Sequence, residues 1–128
     1  MPYSETFKDH IANPRNAGEL SDADAFAEET NPVCGDRLRL SLRIRQGRIE
    51  GACFLAYGCP PTLACGSVLT EILEGMSVEQ GRRLTRDVIV RALGGLPTHK
   101  QHAAALAIET LQTALANITP TGNTISDR

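Results

Sequence analysis

Residues 36–59, DRLRLSLRIRQGRIEGACFLAYGC, decide the fold of this 128-residue chain. At positions 38–44, leucine or isoleucine alternates with arginine or serine, a period of two that predicts a half-buried β-strand. Gln46-Gly47 predicts a turn. Residues 48–57 then predict a second strand, antiparallel to the first. Both of its faces are fairly apolar, so it is either covered on both sides or forms a contact surface.

The sequence on either side of this hairpin predicts helices and one further strand. Residues 3–12 fit a short helix capped by Ser4, and an edge strand is expected around Ala23–Thr30. The later predicted helices are 62–74 after Pro60-Pro61, two short helices after Ser77 and Thr85, and a long helix over His102–Ile118. This order predicts an α+β fold, a small antiparallel three-stranded sheet packed against helices. We expect residues 1–118 to form a single domain and residues 119–128 a disordered tail.

The composition excludes several classes of function. Apolar residues make up 41% and charged residues 22%, which is an ordinary globular balance. A net charge of −2 and the absence of tryptophan argue against a nucleic-acid partner. The chain has no apolar run of about 18 residues, so we expect no membrane association. The N-terminus lacks the apolar core of a signal peptide, which predicts a cytoplasmic protein. In that compartment the four cysteines point to metal binding, catalysis or core packing rather than to disulfides.

Two cysteines lie at the ends of predicted elements, where they could reach one site. Cys34 and Asp36 flank a glycine in a predicted turn, and that glycine lets both side chains point at one place. Cys59 lies between a strand end and a helix start, where the helix dipole favours a thiolate. His102 begins the last helix, and His99 precedes it by three residues. Two thiolates, a carboxylate and an imidazole suffice for one tetrahedral zinc or iron ion.

The other candidate residues have simpler interpretations. Cys53 lies within a predicted strand and Cys65 within a predicted helix, and we expect both to pack in the core. Cys65 lies about 9 Å further along the helix than Cys59, which argues against a shared metal ion. His10 is expected on the surface of the first helix. The arginines of the first hairpin strand are expected to be a solvated face, with docking of an acidic partner as the alternative.

Five segments that follow one another in order carry a family resemblance. They are YSETFKDHIANPRNAGEL at 3–20, Cys34-Gly35-Asp36, Tyr57-Gly58-Cys59, Leu69-Thr70-Glu71 and LPTHKQH at 96–102. Over about residues 3–118 the chain thereby resembles the iron–sulfur cluster scaffolds of the IscU/NifU N-terminal type. The resemblance implies a labile [2Fe–2S] cluster, or a single iron or zinc ion, bound for transfer to apo iron–sulfur proteins. It also implies a cysteine desulfurase as the source of sulfur.

Carried over residue by residue, the resemblance assigns the cofactor and metal positions to Cys34, Asp36, Cys59 and His102. In the scaffolds the aspartate makes the cluster labile, which suits a protein that releases its cargo. The chain departs from the family at Ala103, where a third cysteine usually follows the histidine. His99 is a candidate to replace that ligand, because imidazole binds iron or zinc.

The departures keep alternative functions open. The family's chaperone-recognised loop, Leu-Pro-Pro-Val-Lys, is here residues 96–100, LPTHK, so a dedicated chaperone is not assumed. The leading hypothesis is a scaffold or carrier that is not an enzyme. The second is a non-assembling zinc-binding protein that interacts with or regulates a cysteine desulfurase. The third is a thiol enzyme in which His102 and Asp36 activate Cys59. The oligomeric state stays open.

Overall fold

The alternating hairpin forms the centre of the sheet. In a computed structural model, which describes residues 3–118, β2 (Arg37–Arg45) pairs antiparallel with β3 (Arg48–Tyr57). On its other edge, β2 pairs antiparallel with β1 (Ala25–Thr30), so the strand order is β1-β2-β3. Gln46 and Gly47 both have positive φ angles, 52° and 75°, as a tight hairpin turn between twisted strands requires. The predicted three-stranded antiparallel sheet is confirmed.

Helices cover one face of this sheet. Those within residues 3–118 are α1 (Glu5–Ala12), α2 (Pro60–Leu73), α3 (Val78–Arg82), α4 (Arg86–Ala92) and α5 (His102–Ala116), with a 3₁₀ turn at Thr98–Lys100. Helices α2 and α5 pack on the strands, and the other three pack on α2 or α5. The α+β prediction is therefore confirmed.

No helix in the described part of the chain is long and apolar enough to cross a membrane. The predicted tail, 119–128, lies outside the described residues.

The core lies between the sheet and helices α2 and α5. The apolar residues of β2 point inward, and Leu38, Leu40 and Leu42 are fully buried. Phe54 of β3 lies beside them, and α2 packs closely over its ring. A Cβ atom at Gly66 would lie only 2.5 Å from that ring, so this close packing of helix on strand requires a glycine.

His10 contradicts the sequence-based prediction, because its side chain is buried rather than exposed. It lies between α1 and α2, with Nδ1 2.6 Å from the Ser67 hydroxyl and Nε2 3.4 Å from a Glu71 carboxylate oxygen. Only 3% of the residue is accessible. The chain after α1 turns back along α2, where the Arg15 amide donates to the same Ser67 hydroxyl at 2.9 Å. This fold-back encloses the imidazole.

The segment after α1 also covers the free edge of β3. The Phe54 amide donates to the Asn16 carbonyl, and the Gly18 amide donates to the Phe54 carbonyl, at 3.0 and 2.8 Å. Asn16 and Gly18 both have positive φ angles, 57° and 134°, which let the chain turn onto the strand. The backbone N–H and C=O of Phe54 are therefore hydrogen-bonded within the chain, and they are not available to pair with another strand.

The two remaining cysteines have different surroundings. Cys65 is fully buried in α2, as predicted, and burial raises the pKa of its thiol to about 12. Cys53 is only half-buried, so the prediction that it packs in the core is wrong. It lies opposite Ser41 in the β2–β3 register, on the face of β3 that helices α2 and α5 do not cover. Burial still raises the pKa of the Cys53 thiol.

The arginines of β2 are paired with carboxylates of the same chain. Arg39 lies 3.0 Å from Glu19 and 3.1 Å from Glu28, and Arg43 lies 2.5 Å from Asp22. These intramolecular ion pairs account for the charge on this face of the sheet, so the alternative of docking to an acidic partner gains no support.

Candidate metal centre

The strand register brings two sequence-distant segments together at one end of the sheet. Arg37 at the start of β2 pairs with Tyr57 at the end of β3. The residues just outside this pair, Asp36 on one side and Gly58-Cys59 on the other, therefore meet beyond the last rung of the ladder. The alternating pattern that fixes the hairpin also positions these side chains.

A tight turn presents Cys34 beside them. The Asn31 side-chain oxygen accepts from the amides of Val33 and Cys34, at 2.9 and 3.4 Å. The Asn31 backbone closes the turn, donating to the Asp36 carbonyl at 2.7 Å and accepting from the Gly35 amide at 2.8 Å. Gly35 has a φ of 80°, which a residue without a Cβ adopts readily. The turn leaves Cys34 exposed to solvent.

Asp36 lies at the middle of the cluster. It is 6% exposed, and its Oδ2 accepts from the Thr62 hydroxyl at 2.8 Å and from the Cys59 thiol at 2.9 Å. Burial alone would raise the pKa of this carboxyl. Hydrogen bonds from Cys59, Thr62 and Cys34 outweigh burial and hold the pKa below its usual value. The carboxylate is therefore ionised at neutral pH.

Gly58 lets the two segments approach this closely. A Cβ atom there would lie 2.2 Å from Asp36 Oδ1 and 2.5 Å from its Cγ. The φ of Gly58 is 141°, which residues with a side chain rarely adopt. Both the space and the backbone conformation therefore require glycine immediately before Cys59.

The four residues predicted from the sequence lie together. Cys34, Asp36 and His102 each offer a ligand atom, and these atoms lie within 4.8 Å of one another. His102, at the start of α5, has its Nε2 3.9 Å from Asp36 Oδ2. Cys59 joins the group through its contact with the same oxygen. Two thiols, a carboxylate and an imidazole fit the ligand preferences of zinc and iron. That these residues hold a metal or cluster stays a prediction.

The sequence comparison identifies the family. Residues 2–122 match the profile described as the NifU-like N terminal domain. The chain belongs to this family. The resemblance predicted from the sequence motifs is thereby confirmed.

Related proteins share most of the length of this NifU-like domain. It is 39% identical over 115 residues to the iron–sulfur cluster assembly scaffold protein IscU 1 of Archaeoglobus fulgidus, covering 90% of this chain and 75% of that one. It is 36% identical over 121 residues to the iron–sulfur cluster assembly scaffold protein IscU of Buchnera aphidicola, covering 91% and 94%. The crystal structure of a NifU-like protein (N-terminal) from Brucella abortus superposes with a TM-score of 0.71 at 19% identity, covering 90% and 92%. That last likeness shows a shared fold.

Further residues of the NifU-like domain border the site. His99, in the 3₁₀ turn before α5, lines a cavity of about 350 Å³ together with Asn31, Val33, Cys34 and His102. Ala103, next to His102, is fully buried among core residues and offers only a methyl group.

The sequence-based prediction did not include the residues that support the candidate ligands. Thr62 donates to Asp36, Asn31 holds the turn that presents Cys34, and Gly58 gives the space for Asp36. Thr62 could have been found from the sequence, because it lies three residues after Cys59, in the first turn of α2. Asn31 precedes a proline near the turn, a common place for a side chain that caps backbone amides.

Proposed function

We propose that this NifU-like domain is an iron–sulfur cluster assembly scaffold or carrier. It binds a labile [2Fe–2S] cluster, or a single iron or zinc ion, through Cys34, Asp36, Cys59 and His102, and passes it to acceptor proteins. The observation that carries the proposal is the meeting of these four side chains at one end of the sheet. The names of the relatives from Archaeoglobus and Buchnera support it.

The position of each donor suits cargo that enters and leaves. Cys34 is exposed on its turn, so a partner protein can reach its thiol. Asp36 is ionised and offers an oxygen ligand that two side chains already orient. A mixed set of sulfur, oxygen and nitrogen ligands also matches a cluster that is held less firmly than by four thiolates. The cargo is bound and released without turnover, so the domain is not an enzyme in this proposal.

The partners in this proposal are the ones that the family resemblance implies. A cysteine desulfurase supplies the sulfur, and apo iron–sulfur proteins receive the finished cluster. A second candidate function has one observation in its favour, because Ala103 provides no third thiol beside His102. In that case the domain holds zinc without assembling clusters and acts as an interaction or regulatory protein for a cysteine desulfurase.

The test begins with protein purified without oxygen and without chelator. Iron, zinc and acid-labile sulfide are measured beside the visible spectrum, before and after reconstitution with iron and sulfide. Iron with sulfide and charge-transfer absorption supports the scaffold. Zinc alone, with no cluster after reconstitution, supports the second candidate.

Matched variants locate the cargo. We expect Cys34→Ser and Cys59→Ser to lose metal and cluster, because each removes a thiolate ligand. Cys53→Ser is the control, since it makes the same chemical change on a half-buried cysteine of β3 that is not among the site residues. If both site variants keep the metal content of the control, the assignment of the site is wrong.

A further inference from the structure

The donors available to the site can be counted from the whole sequence. The chain has four cysteines and three histidines, and all of them lie within residues 3–118. Cys65 is fully buried in the core. Cys53 lies on the face of β3 that helices α2 and α5 leave uncovered, and His10 is enclosed between α1 and α2. These three residues are held elsewhere in the fold. Among the cysteines and histidines, the one that remains beyond Cys34, Cys59 and His102 is therefore His99.

His99 lies at a cavity shared with two of the proposed ligand residues. It lines the cavity of about 350 Å³ to which Cys34 and His102 also contribute. The residue that follows His102 does not compete for this role, because the Ala103 side chain has no donor atom. The cavity thus has a thiol and two imidazoles on its walls, a combination suited to zinc or iron.

The backbone under His99 is anchored while its side chain is exposed. The Lys100 amide donates to the Pro97 carbonyl at 2.8 Å, and the Gln101 side chain donates to the Leu96 carbonyl at 3.2 Å. Leu96 is buried in the core and ties the turn to the rest of the fold. An exposed imidazole on an anchored turn can change rotamer to reach the cargo without moving α5.

We propose that His99 is a direct ligand of the cargo, so that this domain binds it with two imidazoles and two thiolates beside the Asp36 carboxylate. This inference rests on the proposed function, because it assumes that Cys34 and Cys59 bind metal. It differs from that proposal in assigning a role to a residue outside the four-residue cluster. A [2Fe–2S] cluster bound in this way would have a higher reduction potential than one bound by thiolates alone, because imidazole ligands in place of thiolates raise that potential.

The experiment measures Zn²⁺ affinity by competition with a chromophoric chelator, and the visible spectrum of the Co²⁺ form. His99→Ala should weaken Zn²⁺ binding at least about 10-fold, since losing even an outer-shell partner costs about 10–100-fold. The Co²⁺ d–d bands should shift, while the thiolate charge-transfer bands from Cys34 and Cys59 remain. Thr98→Ala is the matched control, because Thr98 is also exposed in the same turn but has no soft donor.

A second variant separates ligation from a structural effect. His99→Cys, which restores a soft donor, should recover affinity, whereas His99→Leu should not. Equal affinity and equal Co²⁺ spectra for wild type and His99→Ala would overturn this inference alone, provided that Cys34→Ser weakens binding. A wild-type protein that binds neither ion, or a Cys34→Ser variant that binds as the wild type does, would overturn the proposed function and with it the role of His99.

Discussion

Replacing Gly58 by alanine tests how the two halves of the site are held together. The new Cβ would lie 2.2 Å from Asp36 Oδ1, well inside van der Waals contact. The alanine would also have to adopt a φ near 141°. Either Asp36 moves away from Cys59 and Thr62, or the loop before α2 rearranges. Both responses separate donors that the native turn keeps together.

The expected loss of stability has two parts. A residue with a side chain in a sparsely populated backbone region costs about 1–3 kcal/mol. Overpacking of a filled space costs about another 1–3 kcal/mol. We therefore expect Gly58→Ala to lower the free energy of unfolding by about 2–6 kcal/mol. Zn²⁺ affinity should fall as well, because Asp36 is displaced from its position beside Cys59.

Urea unfolding of the metal-free protein measures this loss, with Gly75→Ala as the matched control. Gly75 has a φ of 86°, and a Cβ atom added there would have no heavy atom within 4 Å, so its alanine variant carries backbone strain without a clash. The difference between their free energies of unfolding measures the cost of the contact between the new Cβ atom and Asp36. In an Asp36→Ala background, which removes the clashing Oδ1 and Cγ atoms, the cost of Gly58→Ala should fall toward that of Gly75→Ala.

The prediction is refuted if Gly58→Ala lowers the free energy of unfolding no more than Gly75→Ala does in the wild-type background. It is also refuted if the cost is the same with and without the Asp36 carboxylate. In either case the close approach of Gly58 to Asp36 does not constrain the site.

Two further predictions concern buried positions. Burial lowers the pKa of His10, and the nearby Arg15 lowers it further, so below about pH 6.5 the unfolded chain binds a proton that the folded chain does not. Stability should therefore be full above that pH and fall as the pH drops toward the folded pKa, with a slope of at most ~1.4 kcal/mol per pH unit. Urea midpoints between pH 5 and 8 check this, and an unchanged slope in His10→Gln would contradict it. Ala103→Cys should make a reconstituted cluster survive chelator longer than in the equally buried control Ala104→Cys, and equal lifetimes would mean that position 103 does not face the site.

The sequence predicts the sheet well because the sheet depends on local patterns, and the family resemblance indicated four side chains that the structure places together. The alternation of β2 and the turn at Gln46-Gly47 set the hairpin, and the hairpin brings Asp36 to Cys59. His10 shows the opposite case. Its burial arises from Ser67, 57 residues away, and from a chain reversal that periodicity in α1 does not reveal.

The residues that support the site also depend on contacts between distant parts of the chain, which local sequence patterns do not reveal. The role of Thr62 depends on where the carboxylate of Asp36 lies, 26 residues earlier in the chain. The half-buried position of Cys53 depends on which face of β3 the helices cover. An apolar pattern on both faces of a strand does not settle that question, because it fits burial on either side.

The hairpin register has a consequence for the order in which the site forms during folding. Asp36 and Cys59 are 23 residues apart and meet as soon as β2 and β3 pair, a contact of low sequence separation. His102 joins them only when the last helix docks, which closes a much longer loop, and each doubling of loop length costs about 0.6 kcal/mol more in entropy. A partly folded chain with α5 undocked would thus already hold the thiol beside the carboxylate. Metal bound at the proposed site would favour docking of α5, and would thereby stabilise the last step in which the C-terminal helix joins the fold.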